Sequence, residues 1–193
     1  MDSDEYRRRG ASMISAPVRQ RLITGDELLA MGDIGPCELV QGKIVPMSTT
    51  GGEHGLLEAG IARHLGNFNA EHKLGWVISG EAGVYTQRNP DTVRGMDAAY
   101  ISKARHPARP KGYLEVAPEL IVEIVSPNDR WRDIQDKLQG YFAIGVETAW
   151  LVDPKERTVF VYAELADLTR VTAQEILRGE GALSGFALSL TEL

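Results

Sequence analysis

One cysteine, Cys37, is all that the 193 residues contain. Without a second there is no intrachain disulfide framework and no cysteine-based zinc site, which removes stapled secreted scaffolds and zinc fingers. Cys37 stands beside Glu38 in an alternating apolar run and reads as a half-buried strand residue rather than a nucleophile. Long apolar runs are missing as well: none approaches the ~20 residues that span a bilayer. The stretch MDSDEYRRRGASMISAPVRQR lacks the uninterrupted apolar core of a secretory signal, so the expected compartment is the cytoplasm. An excess of positive charge is also lacking. A net charge of -6 argues against coating nucleic acid through a broadly basic surface, though not against a local basic groove. Only Ser102 to Gly112 (SKARHPARPKG) concentrates cations, with Lys103, Arg105, Arg109 and Lys111 and no acid among them. Such a segment either follows a phosphate backbone or forms a solvated loop.

What remains is the composition of a soluble domain, 43% hydrophobic and 25% charged, at a length that suits one core. Residues 1–20 read as a flexible tail and 21–193 as a single domain. Thr24-Gly25-Asp26-Glu27 is a capping-box signal for a first helix that Gly32 stops. Cys37 to Met47 (CELVQGKIVPM) folds into a hairpin about Gln41-Gly42. Leu57, Ile61, Leu65 and Phe68 recur at helical spacing over about Glu53 to Asn69. Strands are predicted over Trp76 to Thr86, Val93 to Ser102, Glu119 to Val125, Thr148 to Val152 and Thr158 to Tyr162, with a helix from about Arg130 to Ala143. Beyond Leu165 the pattern suggests a short helix and an edge strand. The order gives an α/β domain (α+β mixed sheet), with helices on the faces of a central mixed sheet.

Chemistry enters at ELIVEIV. Alternation along a strand puts Leu120, Val122 and Ile124 on one face and Ile121, Glu123 and Val125 on the other. Glu123 is then a lone charge in an apolar strand, and an unpaired buried carboxylate costs several kcal/mol, so it needs a cation or a donor. Asp97 poses the same problem inside VRGMDAAYI. Two carboxylates on neighbouring strands repel unless a proton or a metal lies between them, and hard oxygen ligands suit Mg²⁺ or Mn²⁺. Lys137 lies on the helix that follows the Glu123 strand, with Asp133 and Tyr141 one turn to either side. Taken alone, Lys137 reads better as half of an exposed pair with Asp133 than as a site residue.

The stretches Cys37 to Met47, Glu53-His54-Gly55, Arg94 to Ser102, Lys137 to Gly145 and Trp150 to Pro154, and above all PELIVEIVSPNDR followed by DKLQGYFAIGVETAWLVDP, resemble the Uma-type family of bacterial restriction-endonuclease-like proteins. The likeness runs from about Leu22 to Tyr162. It implies a restriction-endonuclease-like core of the PD-(D/E)XK type. Asp97 and Glu123 would then bind Mg²⁺ or Mn²⁺ together with the Ile124 carbonyl, and Lys137 would be the catalytic lysine. Met96 stands at the family's usual proline. Val125 occupies the lysine position two residues after the glutamate, and Lys137 matches the place on the next helix to which the family moves that lysine. Glu38 matches a recurrent glutamate and is carried over as a further acidic member of the catalytic set. His54 matches a common histidine that either contacts phosphate or caps its helix. Arg94, Lys103 and Arg105 complete the expected substrate contacts.

The function so implied is metal-dependent hydrolysis of phosphodiester bonds, in DNA first of all, by an enzyme with no membrane partner; a homodimer is compatible with it. Two rivals stand beside it. One is a catalytically silent nucleic-acid- or protein-binding module that kept the nuclease scaffold, which the acidic net charge favours. The other is a structural protein whose acidic cluster is a satisfied buried network, in which Lys137 would point away from both carboxylates.

Overall fold

The computed structural model describes residues 21–127 and 129–193; the tail expected over residues 1–20 lies outside the described residues. Helix α1 (Gly25–Ala30) begins at the expected capping box. The Thr24 side chain accepts from the Glu27 N–H at 3.1 Å, and the Glu27 carboxylate accepts from the Thr24 N–H at 2.8 Å. Strands β1 (Cys37–Val40) and β2 (Lys43–Pro46) form the hairpin. Its two turn residues, Gln41 and Gly42, have φ of 49° and 72°, the left-handed pair that lets two strands reverse with matching twist. A side chain at Gly42 would also meet Leu22, with a Cβ–Cβ distance of 2.8 Å.

Helix α2 (Gly52–His72) is followed by β3 (Gly75–Gln87), β4 (Thr92–Ser102), β5 (Leu120–Ile124), α3 (Trp131–Ala143), β6 (Thr148–Asp153) and β7 (Thr158–Glu164). Beyond β7, the expected edge strand is β8 (Asp167–Thr172), which pairs with β7. The rest of the tail differs from expectation. It forms a separate two-stranded ribbon, β9 (Ile176–Arg178) with β10 (Ala187–Ser189), and two single turns of 3₁₀ helix, in place of an α-helix. Glycines at 179, 181 and 185 interrupt any helical run there.

The main sheet runs β2-β1-β4-β5-β6-β7-β8, with β3 also on β4. Among the strand pairs of the described residues only β5 and β6 are parallel, and α3 makes the crossover between them. Alternation in β5 sorts the two cores as expected. Leu120, Val122 and Ile124 pack with Ile61 and Leu65 of α2 and with the C-terminal ribbon. Ile121 packs with Ile134, Leu138 and Tyr141 of α3.

The pairing of β4 positions the site. Along one edge β4 is covered by β3 from Thr92 to Ser102. Along the other edge β1 pairs only at Val93 and β5 only from Ala98 to Tyr100. The sheet therefore splits over Arg94 to Asp97. Buried backbone groups must find partners, and here side chains supply them. The Gly95 N–H donates to Glu38 Oε1 at 3.1 Å, and the Gly95 carbonyl accepts from Lys137 Nζ and from the Tyr141 hydroxyl, each at 3.3 Å. Opposite the split, β3 carries a bulge between Ser79 and Ala82, with Gly80 and Glu81 at φ of 82° and 56°.

Candidate active site

Four elements deliver charged side chains to this split. Asp97 comes from β4 and is 4% exposed. Its Oδ2 accepts from the Ile124 N–H at 2.6 Å and lies 3.3 Å from His54 Nε2. Glu123 comes from β5, on the α3 side. Its Oε2 is 2.9 Å from Lys137 Nζ and its Oε1 accepts from the Tyr141 hydroxyl at 2.6 Å. Lys137 also reaches Glu38 Oε1 at 3.1 Å. Glu38, on β1, holds Arg94 at 2.7 Å with its other oxygen. The ion pairs of Lys137 are thus with Glu123 and Glu38 and not with Asp133, because the α3 face that carries Lys137 and Tyr141 packs onto β5 rather than facing solvent. A cleft of about 390 Å³ opens here, with Glu38, Arg94, Glu123 and Lys137 on its wall.

The electrostatics follow from burial. Removal from water, reinforced by the Glu123 charge, pushes the Asp97 carboxyl up to about 8, against the pull of the Ile124 N–H. Burial raises Glu123 too, opposed by the Lys137 ammonium and the Tyr141 hydroxyl. Burial disfavours the charge on Lys137, but Glu123 and Glu38 outweigh it and hold the ammonium above its ordinary range. Tyr141 is raised well above its usual value by burial and by Glu123, so it remains a donor.

On the α2 side, His54 is buried and does not cap its helix; its ring faces Asp97. One turn on, Glu58 accepts from the Gly80 N–H of the β3 bulge at 2.7 Å. Ligand atoms of His54, Glu58 and Asp97 lie within 4.8 Å of one another. Glu81, on the same bulge, adds a further negative charge near Asp97.

The structure brings Asp97, Glu123, Ile124, Lys137, Glu38, His54 and Arg94 together. It does not bring Lys103 or Arg105 to them. Both follow β4, whose last residue, Ser102, is five positions past Asp97, about 17 Å along an extended strand. Arg105 is bound there by Glu119 and Glu147 and by the carbonyls of Ala117 and Gly145, tying the loop to the start of β5. Lys103 donates to the Lys73 carbonyl and lies over the Trp76 ring. Tyr141, Glu58 and Glu81 were not among the expected site residues. Tyr141 stands four residues after Lys137, and Glu58 four after His54, so helical spacing was the available signal for both. Glu81 owes its place to a bulge that leaves no such trace.

The fold is thus a mixed sheet, split over Arg94 to Asp97, with acidic side chains from adjacent strands and a lysine from the next helix at the split. A crystal structure described as that of "a putative nuclease belonging to DUF820" from Anabaena variabilis ATCC 29413 is similar to this chain, with a TM-score of 0.74 at 22% identity, over 88% of this chain and 96% of that one. The family model Uma2, described as "Putative restriction endonuclease", matches residues 26–191, and the chain belongs to that family. The match includes the C-terminal ribbon, beyond the stretch to Tyr162 on which the resemblance was drawn. No functionally curated protein matches the chain. Among the described residues, no helix is long and apolar enough to cross a membrane.

Proposed function

We propose that this protein hydrolyses phosphodiester bonds in nucleic acid, DNA in the first place, with a divalent cation held by Asp97, Glu123 and the Ile124 carbonyl. The observation that carries the reading is the split in the sheet, where two acids from adjacent strands converge with a lysine drawn onto one of them. The donor set fits a hard cation. Asp97 is buried beside another carboxylate, which is costly without a compensating charge, and its oxygens suit Mg²⁺ or Mn²⁺. In an extended strand the N–H and C=O of one residue point the same way, so the Ile124 carbonyl looks toward the side where its N–H meets Asp97. A divalent cation bound there supplies a positive charge against a phosphate oxygen and a water acidic enough to attack.

The chain's own residues do the rest. The Ile124 N–H fixes the Asp97 carboxylate. The Lys137 ammonium, held charged by Glu123 and Glu38, offers positive charge where a phosphate gains negative charge in the transition state. Tyr141 orients Glu123, and Glu38 orients Arg94, which is placed at the cleft wall to meet a backbone phosphate. Lys103 and Arg105 take no part in this reading. The test is magnesium-stimulated cleavage of DNA by the whole chain, lost in Asp97→Ala and in Glu123→Ala. Full cleavage by either variant overturns the assignment. Calorimetry that detects no Mg²⁺ or Mn²⁺ binding would leave a binding module on a nuclease scaffold.

A further inference from the structure

The basic segment after β4 divides into two halves. Lys103 and Arg105 are bound by protein groups at its start. Arg109 and Lys111 are exposed, and neither makes an ion pair among the described residues. Both line a groove of about 490 Å³ whose facing wall is β3, from Trp76 to Ala82. Among the described residues no carboxylate lines it.

The groove exists because β3 lacks a neighbour there. The outer edge of β3 is met at Val84, where the Leu114 N–H donates to the Gly83 carbonyl at 2.8 Å and the Leu114 carbonyl accepts from the Tyr85 N–H at 2.9 Å. From Trp76 to Ala82 no strand covers that edge among the described residues. Apart from the Gly80 N–H, which Glu58 takes, its backbone groups are left to solvent or to a ligand. Trp76 is fixed at the far end. Its Nε1 donates to the His106 carbonyl at 3.0 Å, and the Lys103 ammonium stands 5.3 Å from its ring centroid. An immobilised indole beside unpaired cations suits a strand whose bases are free to stack and whose phosphates reach the rim. A duplex keeps its bases stacked on one another, and an acidic peptide would leave the indole unused.

The catalytic cleft is poorly equipped to hold such a strand by itself. Five carboxylates, Glu38 and Glu123 among them, line it against Arg94 and Lys137. Away from a bound cation that wall repels a phosphate backbone. The groove and the split share β3. Ala82 pairs with Met96, next to Asp97, and Trp76 pairs with Ile101, five positions further along β4 or about 17 Å.

We infer that this groove binds single-stranded nucleic acid, with a base against Trp76 and phosphates at Arg109 and Lys111, and that the substrate carries an unpaired segment beside the cut. The inference rests on the phosphodiesterase reading for the cut and not for the binding of the strand.

The test is fluorescence anisotropy of a labelled oligothymidylate of about twelve nucleotides with the whole chain, in EDTA so that binding is read without cleavage. Wild type is expected to bind it more tightly than a duplex of the same length. Arg109→Ala combined with Lys111→Ala, both exposed and without ion pairs, is expected to weaken binding at least about tenfold. The slope of log affinity against log salt should fall by about 1.4, about 0.7 for each phosphate contact. Trp76→Leu is expected to weaken binding at least about fivefold and leave that slope unchanged. An unchanged affinity and slope in the double variant, whose fold the melting curve checks, overturns the groove. So does duplex binding that is as tight and as sensitive to the same substitutions, or binding of oligoglutamate in place of the oligonucleotide. Strand binding with the expected losses, in a protein that cleaves no nucleic acid with Mg²⁺, supports the groove and counts against the phosphodiesterase reading alone.

Discussion

Replacing Lys137 with methionine keeps most of the side chain's length and removes its ammonium. Glu38, 4% exposed, and the Glu123 side chain, 13% exposed, then share a pocket in which Arg94 is the one cation left among the described residues, bound to one oxygen of Glu38. Removing one member of a buried ion pair costs about 3–5 kcal/mol, since the other charge stays behind without compensation. For a domain of this size each kcal/mol moves Tm by about 2–4 °C, so the expected drop at pH 8 is about 6–20 °C. The loss has a definite pH dependence. Without the ammonium, burial and the neighbouring negative charge raise Glu123 further, and the folded variant keeps a proton that the unfolded chain releases. Its stability is greatest below the unfolded carboxyl range and declines as pH rises through the raised folded value. Lys137 in the wild type is raised above its ordinary value and so stays charged throughout this window. The gap between the two proteins should therefore widen from pH 5 to pH 8. Scanning calorimetry of both proteins at pH 5, 6.5 and 8 measures it. A deficit under about 1 kcal/mol at pH 8, the scale of an exposed bridge, or one equal at all three values, refutes the argument.

Three further outcomes follow from the same geometry. Asp97, held up to about 8, keeps its proton in the folded state while the unfolded chain loses its own near pH 4, so wild-type stability should decline between those values. Asp97→Asn should flatten that decline in urea melts, and an unaltered slope would contradict the assignment; Mn²⁺ affinity, which requires the ionised carboxylate, should rise from pH 6 to pH 8 in the wild type. Arg105→Ala should lower stability by about 1–3 kcal/mol through the loss of hydrogen bonds to charged and backbone partners, with cleavage per folded molecule unchanged. A tenfold fall in cleavage would return the basic loop to the substrate path.

The parts of the site that could be read from the chain were those in which local periodicity meets chemistry. Glu123 breaks the apolar alternation of ELIVEIV, and the strand buries as that alternation requires. The hairpin and both long helices were legible for the same reason. Lys137 was not, because spacing on one helix offers Asp133 ahead of any partner on a distant strand; packing of α3 onto β5 decided for Glu123. The basic loop misled because its counter-ions, Glu119 and Glu147, are 14 and 42 residues from Arg105 and face it only in three dimensions. The split in the sheet has no local signature at all. It arises because β1 and β5 share one edge of β4 and each covers only part of it.

That split has a consequence for how such a protein can change over time. Glu38, Lys137 and Tyr141 serve the Gly95 backbone as well as one another, so for a short length they substitute for a missing strand. A descendant that lost its chemistry would still need donors and an acceptor at those positions, or would have to reseal the sheet by extending β1 or β5. The same three residues can then outlast the activity they serve, held by architecture.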